Sequence, residues 1–345
     1  MDNKRNNRNN RHADHQADRP PVPNAATDMT ATTVEDWLRS ATQRLQGTGR
    51  HAGQAAAGRN ACQGAGQDAG MDMDSARLDA RLLLQAACGM SAAELIAHPE
   101  RHLTSQTLAQ LELMLRRRLA HEPVSRILGW REFYGRRFKI TPATLDPRPD
   151  SETLIDAALQ IATREGWCDK PVSIIDVGTG SGCLLLTLLA ELPKATGLGT
   201  DISGAAIEIA RHNAQLLGVA QRAAFLQTES LDGVNKVFDL LVSNPPYIAS
   251  GDIAQLAAEV RRYDPLGALD GGADGLDVYR TIGCRLSRVI TKGWALFEVA
   301  AGQAASVTAQ LAAANPSWKS ENSLNLWDLA GHRRVVALRP SIGGK

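Results

Sequence analysis

"IIDVGTGSG", Ile174 to Gly182, runs an aliphatic strand directly into alternating glycines. Glycines at 178, 180 and 182, where a buried strand turns into a helix, permit a tight bend and let bare backbone approach a ligand. The dinucleotide fingerprint G-x-G-x-x-G would need a glycine at 183, and this chain has Cys183 there. The observed G-x-G-x-G favours a ligand without a pyrophosphate, of which S-adenosylmethionine is the usual one. Nineteen residues after Gly182, at the end of the next strand, Asp201 in "GTDIS" can accept hydrogen bonds from both hydroxyls of a ribose. Gly178, Thr179, Gly180, Ser181, Gly182 and Asp201 are therefore the candidate cofactor contacts, with Asp176 preceding them in the strand.

Outward from this loop the chain alternates. "VSIIDVG", "ATGLGTDI", "AAFLQTE", "FDLLVSN" and "WALFEVA" read as strands, separated by helices at "SGCLLLTLLAEL", "SGAAIEIARHNAQLLG" and Tyr279 to Ile290. A helix over Gly302 to Ala314 and two closing strands, "SLNLWDL" and "RRVVALR", complete the pattern. Strand–helix alternation predicts an α/β fold with a mostly parallel, doubly wound sheet, and the two consecutive terminal strands predict an antiparallel edge.

The N-terminal part is different. Residues 1–30 are polar and are expected to be a disordered extension. Thr33 with Asp36, then Val34, Trp37, Leu38, Ala41 and Leu45, announces a helix. Helical spacing returns at Ser75 with Leu78, Leu82, Leu83 and Ala86, then after the capping pair Ser91 and Glu94, and again from Thr104 through Leu108, Leu111, Leu115 and Leu119. This is a small helical bundle over 31–125, interrupted by a Gly-, Ala- and Gln-rich flexible insertion over 47–74. "RRRLAHEP" at its end reads as a solvated helix terminus. "REFYGRRFKI" predicts a hairpin around Gly135 in a linker over 126–150, and 151–345 form the α/β domain.

With 38 basic and 37 acidic residues the net charge is +1, which gives no global attraction to nucleic acid. The five cysteines, 62, 88, 168, 183 and 284, form no CxxC pair, so neither a disulfide framework nor a metal site is expected. The longest apolar run, "CLLLTLLA", is too short to cross a bilayer, and no apolar segment follows the polar start. A soluble, cytoplasmic, monomeric protein is expected.

The chemistry sits in "FDLLVSNPPYIAS", Phe238 to Ser250. A strand stop explains Pro245 and Pro246 but not the Asn before them or the Tyr after them. As the fourth strand of the alternation, it carries Asn244 at its carboxyl end, beside the first strand and across the crevice from the glycine loop, where Asn244 is also a candidate cofactor contact. Methyl transfer to an NH2 group needs that nitrogen held in line and its hydrogens accepted. The Asn244 oxygen can take one hydrogen and the Pro245 carbonyl the other. Pro245 and Pro246 stiffen the backbone, and Tyr247 can pack on the flat face of the target.

Together, "EPVSRILGWREFYG", "TPATLDPRPDSE", "IIDVGTGSG", "TDIS", "FDLLVSNPPYI", "YDPLGALDGGADGLDVYR" and "DLAGHRRVV" make the chain resemble the N5-glutamine methyltransferases of peptide chain release factors, the PrmC/HemK family. The resemblance implies a class I S-adenosylmethionine-dependent methyltransferase fold with a seven-stranded sheet. It also implies an N-terminal helical domain that grips a class I release factor, and, as substrate, the glutamine of that factor's Gly-Gly-Gln loop. It puts Arg148, Asp150 and Glu152 on the active-site approach. Many relatives carry a "DW" pair after the third strand; here it is Glu229-Ser230, so Glu229 can accept from an adenine amine while stacking is lost. No metal is implied. The rival readings are an adenine-N6 nucleic-acid methyltransferase, which needs a target-recognition domain or basic channel, and a non-catalytic binding module, which would not need to keep Asn244.

Overall fold

Residues 32–47, 71–321, 324, 326–328 and 331–341 are described by the computed structural model. The extension expected over 1–30 lies outside them, as do residues 48–70 of the expected insertion. Helix α1, Val34–Gly47, starts at the anticipated cap: Thr33 Oγ1 donates to Asp36 Oδ2 at 2.7 Å and accepts from its backbone N–H at 3.2 Å. Helix α2, Met73–Cys88, begins before the expected Ser75, because Asp72 caps it by accepting from Ser75 N at 2.9 Å. Its buried face also differs from the expected one. Ala76, Ala80, Leu83 and Leu84 are buried, whereas Leu78 is 45% exposed. The small alanines let α2 lie close against α1, and the bulkier Leu78 falls on the outer side.

Helices α3, Ala92–Ala97, and α4, Ser105–Leu119, start at the caps Ser91 and Thr104. A further short helix, α5, Val124–Leu128, follows Pro123 and stops at Gly129. Val34, Trp37, Ala41, Leu45, Leu111 and Leu115 close the bundle core with the α2 face. The arginine run is not wholly solvated. Arg118 is buried and pairs with Asp79 at 2.6 Å and with Glu259 at 2.7 Å, since the end of α4 lies against a later helix, Ala258–Tyr263.

Strands β1, Trp130–Phe133, and β2, Arg136–Lys139, form the expected hairpin. Both turn residues, Tyr134 and Gly135, have left-handed φ, which matches the twist of a two-residue hairpin. Phe133 and Phe138 meet edge-on at 6.2 Å and enter the core of the α/β domain, which docks the hairpin there. Helix α6, Glu152–Arg164, lies where the sequence pattern names no element. It lays Leu154, Ile155, Ala158 and Ile161 on the sheet.

The sheet holds β3 Ser173–Val177, β4 Thr196–Asp201, β5 Ala223–Gln227, β6 Leu240–Ser243, β7 Trp294–Glu298, β8 Trp318–Ser320 and β9 Val335–Pro340. Its order is β5-β4-β3-β6-β7-β9-β8; neighbours from β5 to β7 are parallel, and β9 is antiparallel to both β7 and β8. Helices α7 Cys183–Glu191, α8 Gly204–Leu216, α9 Ala258–Tyr263, α10 Asp277–Val289 and α11 Ala304–Ala314 complete the chain. Alternate strand residues serve opposite faces. Ile174, Leu240 and Leu296 pack with α6 and α7, while Ile175, Leu241 and Phe297 pack with α10 and α11. Burial on both sides is why these strands read as unbroken apolar runs.

The first closing strand is displaced from the expected "SLNLWDL". The edge strand is Trp318–Ser320, and Trp327 makes only an isolated bridge to Arg333. Leu324 and Leu326 contribute to the core, and the described residues of that stretch meet the approach to β9, where Arg334 N donates to Leu326 O and Asp328 N to His332 O, both at 2.8 Å.

An excursion between β6 and α10 joins the two parts of the molecule. Tyr263 Oη donates to Ala120 O at 3.2 Å, and Asp264 accepts from Arg126 at 2.6 Å and also from Arg148. The side chains of Arg126 and Asp264 are 4% and 3% exposed. Removing one partner of such a pair leaves an uncompensated buried charge. Asp264→Ala should therefore cost ~3–5 kcal/mol of unfolding free energy, measured by chemical denaturation.

Candidate active site

The chain runs from β3 outward to β4 and β5, then returns to the other side of β3 with β6. This reversal makes a crevice at the carboxyl ends of β3 and β6, the usual ligand position in open α/β sheets. Val177 pairs with Ser243, so the glycine loop and Asn244 leave the sheet side by side.

Gly178, Gly180 and Gly182 have φ of 74°, 55° and 81°, a region that side-chain-bearing residues rarely adopt. Gly178 N and Thr179 N donate to Thr200 O at 2.9 and 2.8 Å, tying the loop to β4. Thr179 Oγ1 donates to Asp176 Oδ2 at 2.6 Å, and Gly180 N donates to Asp201 Oδ2 at 2.8 Å. Ser203 N donates to Asp201 Oδ1 at 2.9 Å, so each oxygen of Asp201 already holds one backbone donor and keeps lone-pair capacity for another. Burial raises the Asp201 carboxyl above its ordinary value.

A cavity of about 420 Å³ lies over this loop. Gly178, Thr179, Gly180, Ser181, Asp201, Glu229, Ser230, Asn244, Pro245 and Pro246 line it, joined by Arg148 and Ser151. Gly182 does not. A Cβ there would come within 2.9 Å of Leu186 Cδ1 and 3.3 Å of Ala210 Cβ, so this glycine lets α7 start against α8. Tyr247 lines a second cavity, of about 190 Å³, whose wall also includes Leu145, Arg148, Asn244 and Ala268. Asn244 thus stands on the wall common to both. Its Nδ2 donates to Ser151 Oγ at 3.2 Å. Burial pushes the Tyr247 hydroxyl up to about 12, which keeps it neutral.

Ser230 also takes a left-handed φ, of 55°. Its carbonyl accepts from Thr200 Oγ1 at 2.9 Å, and its own hydroxyl is buried without a partner at the cavity wall. Asp150 and Glu152 line neither cavity. Asp150 pairs with Arg334 at 2.8 Å, and Glu152 accepts from Tyr134 N at 2.8 Å, holding the hairpin turn. Ser151, between them, is the residue that reaches the site, and nothing in the local pattern distinguished it from a helix-start serine.

The reason "ALDGGADGLD" accompanies "NPPYI" is steric. A Cβ on Gly271 would lie 2.7 Å from Pro246 O, and one on Gly275 would lie 2.3 Å from Tyr247 O. Ile248 N donates to Leu269 O at 3.1 Å and Gly271 N to Ile248 O at 2.8 Å. The glycine-rich loop therefore braces the Asn-Pro-Pro-Tyr backbone by direct contact. Among the described residues, no group of three or more His, Cys, Asp or Glu could hold a metal ion, and no helix is long and apolar enough to cross a membrane.

Two family descriptions match the chain: the PrmC N-terminal domain over residues 66–129 and the methyltransferase small domain over 155–260. The release factor glutamine methyltransferase of Bradyrhizobium diazoefficiens is 46% identical over 268 residues, covering 77% of this chain and 89% of the relative. That of Cereibacter sphaeroides is 41% identical over 268 residues, covering 77% and 92%. The chain belongs to the release factor glutamine methyltransferase family. It is a methyltransferase, and its matched segments take in α2 to α5 on one side and the glycine loop, Asp201 and Asn244 to Tyr247 on the other. The Rhodospirillum rubrum relative, at 45% over 240 residues, covers 69% of this chain and 72% of its own length.

The buried Asp176 beneath the loop gives this site a pH signature. Burial pushes its carboxyl from 3.8 up to about 7. Across that window the folded enzyme holds a proton that the unfolded chain has released, so stability falls as pH rises. Asp176→Asn should flatten the slope between those pH values by up to ~1.4 kcal/mol per pH unit, read from denaturation curves at a series of pH values.

Proposed function

We propose that this enzyme transfers a methyl group from S-adenosylmethionine to the side-chain amide nitrogen of the glutamine in the Gly-Gly-Gln loop of a class I peptide chain release factor, in support of translation termination. The observation that carries the reading is Asn244 on the wall common to two cavities, one over the glycine loop and one lined by Tyr247.

The residues present fit the cofactor. A Cβ on Gly178 or Gly180 would meet no atom within 4 Å, so both offer bare backbone to open space. The cavity volume lies within the roughly 300–1,000 Å³ of small-molecule sites. Gly178 to Ser181, Asp201, Glu229 and Ser230 would hold the cofactor, with the unpartnered Ser230 hydroxyl offering a polar contact. When bound, S-adenosylmethionine supplies an electrophilic methyl group on a sulfonium.

The protein's own part is orientation. A carboxamide nitrogen is a weak nucleophile because its lone pair is delocalised. Acceptors on both of its hydrogens draw electron density toward it and fix its direction of approach. Asn244 Oδ1 and the Pro245 carbonyl are those acceptors, Pro246 keeps the backbone rigid, and the neutral Tyr247 packs against the amide plane. The helical bundle, held to the catalytic part through Arg118 and Arg126, serves as the grip on the release factor. Family membership and the match over 66–129 favour this protein substrate over the adenine-N6 alternative. The reading implies a cytoplasmic enzyme that acts as a monomer.

Full-length protein incubated with methyl-labelled S-adenosylmethionine and either a release factor or duplex DNA should label only the Gly-Gly-Gln peptide; label on DNA alone would overturn the reading. In the same assay Asn244→Ala should lower kcat by ~100–1,000-fold while cofactor binding, followed by calorimetry, stays unchanged.

A further inference from the structure

A buried carboxyl stands next to Asn244 from a part of the chain that has no role so far. Glu298 ends β7, and the pairing of Ser243 with Phe297 sets it directly beside Asn244. It is 2% exposed, and its backbone carbonyl is fixed by the Tyr279 hydroxyl at 2.6 Å. The side chains of Ser151 and Asn244 lie close enough to its carboxyl to favour the charged form, while its Oε2 is buried without a partner. Asn244 Nδ2 donates to Ser151 Oγ at 3.2 Å, and no donor among the described residues bonds Asn244 Oδ1.

An asparagine amide can turn over, exchanging its oxygen for its NH2 at little steric cost. Only one of the two orientations offers an acceptor to a substrate NH2; the other sets donor against donor. Some group behind Asn244 must therefore choose. We propose that Glu298 is a positioning residue that orients the Asn244 amide: as a carboxylate it accepts from the Ser151 hydroxyl and from Asn244 Nδ2, and so leaves Oδ1 facing the substrate. The inference deepens the amide-methylation reading and rests on it.

The state of the carboxyl then matters. Burial pushes Glu298 up to about 7; Asp150 repels its charged form, and Arg334 favours it. The other groups that face it are Tyr247, Tyr279 and Cys183, all raised by burial and neutral through this range. Once protonated, Glu298 carries an O–H that needs an acceptor, and the groups in reach are the Ser151 and Asn244 oxygens. Protonation therefore favours the turned amide, which presents Nδ2 to the substrate. The competent form is the ionised one, so activity is present above about 7 and is lost as pH falls through that value. Asp176 is also raised to about 7, but it bonds Thr179 under the glycine loop and not Asn244, so the loss of the pH dependence in Glu298→Gln separates the two carboxyls.

The test reads orientation without substrate. In full-length protein labelled with 15N-asparagine, the Asn244 side-chain amide resonances are assigned by their loss in Asn244→Ala. They should shift between about pH 6 and 8 in the wild type and stay fixed in the isosteric Glu298→Gln variant. With saturating S-adenosylmethionine and a release factor, kcat should rise with pH through the same midpoint. Glu298→Gln should lower kcat by ~10–100-fold and flatten the profile, with cofactor affinity unchanged. Ser151→Ala, which leaves the carboxyl in place, should move the midpoint of the Asn244 resonances and lower kcat less, and it serves if Glu298→Gln does not fold. Wild-type Asn244 resonances indifferent to pH, or a Glu298→Gln enzyme with wild-type kcat and pH profile, would overturn the proposal. A wild type that shows the resonance shift yet leaves the release factor unmethylated would overturn the functional reading and leave the orientation intact.

Discussion

Ser243 Oγ donates to the carbonyl of Val177 at 2.7 Å in a fully buried position, joining the ends of β6 and β3. Everything at the site depends on those two strand ends remaining level. One carries the left-handed glycines and the other carries Asn244, so a register slip of one residue would separate them and turn every side chain to the opposite face. The sheet secures the register by burying both faces, with Ile174 and Ile175 serving opposite cores. The hydroxyl-to-carbonyl bond adds a polar lock where an apolar residue would leave the end of the ladder free to fray.

Around this joint the chain gathers carboxyl groups that are buried or partly buried. Asp176, Asp201 and Glu298 are all raised by desolvation, and Asp176 Oδ1 and Glu298 Oε2 have no hydrogen-bond partner. Buried polar groups of this kind work against stability, and a core built for stability alone would replace them. Their positions explain their retention. Asp176 holds Thr179 and Asp201 holds Gly180, which shapes the loop, and Glu298 lies behind Asn244. The non-glycine residue Ser230, with its left-handed φ at the cavity wall, belongs to the same pattern of strain collected at the site.

The helical bundle is not an independent appendage. Arg118 and Arg126 are both buried and reach across to Glu259 and Asp264, which flank or lie on the same excursion that supplies Pro265, Gly267 and Ala268 to the cavity wall. Asp264 also holds Arg148, which borders both cavities. One buried aspartate therefore connects the bundle, the linker and the cavity wall.

Much of this was legible along the chain. G-x-G-x-G requires left-handed backbone after a strand, Thr33, Ser91 and Thr104 cap helices through bonds spanning three residues, and the strands of a doubly covered sheet announce themselves as apolar runs. These features depend on backbone conformation and on neighbours a few residues away, so the sequence by itself determined them: the fold class, the glycine loop, Asp201 and the Asn-Pro-Pro-Tyr turn. The identity of the α2 face, the short edge strand at Trp318–Ser320, the burial of Arg118 and the meeting of Ser151 and Glu298 at Asn244 were decided only in three dimensions. Ser151 and Asn244 are 93 residues apart, and what brings them together is strand order and the face on which α6 packs. No local propensity encodes either, because each follows from how the whole chain buries its apolar surface.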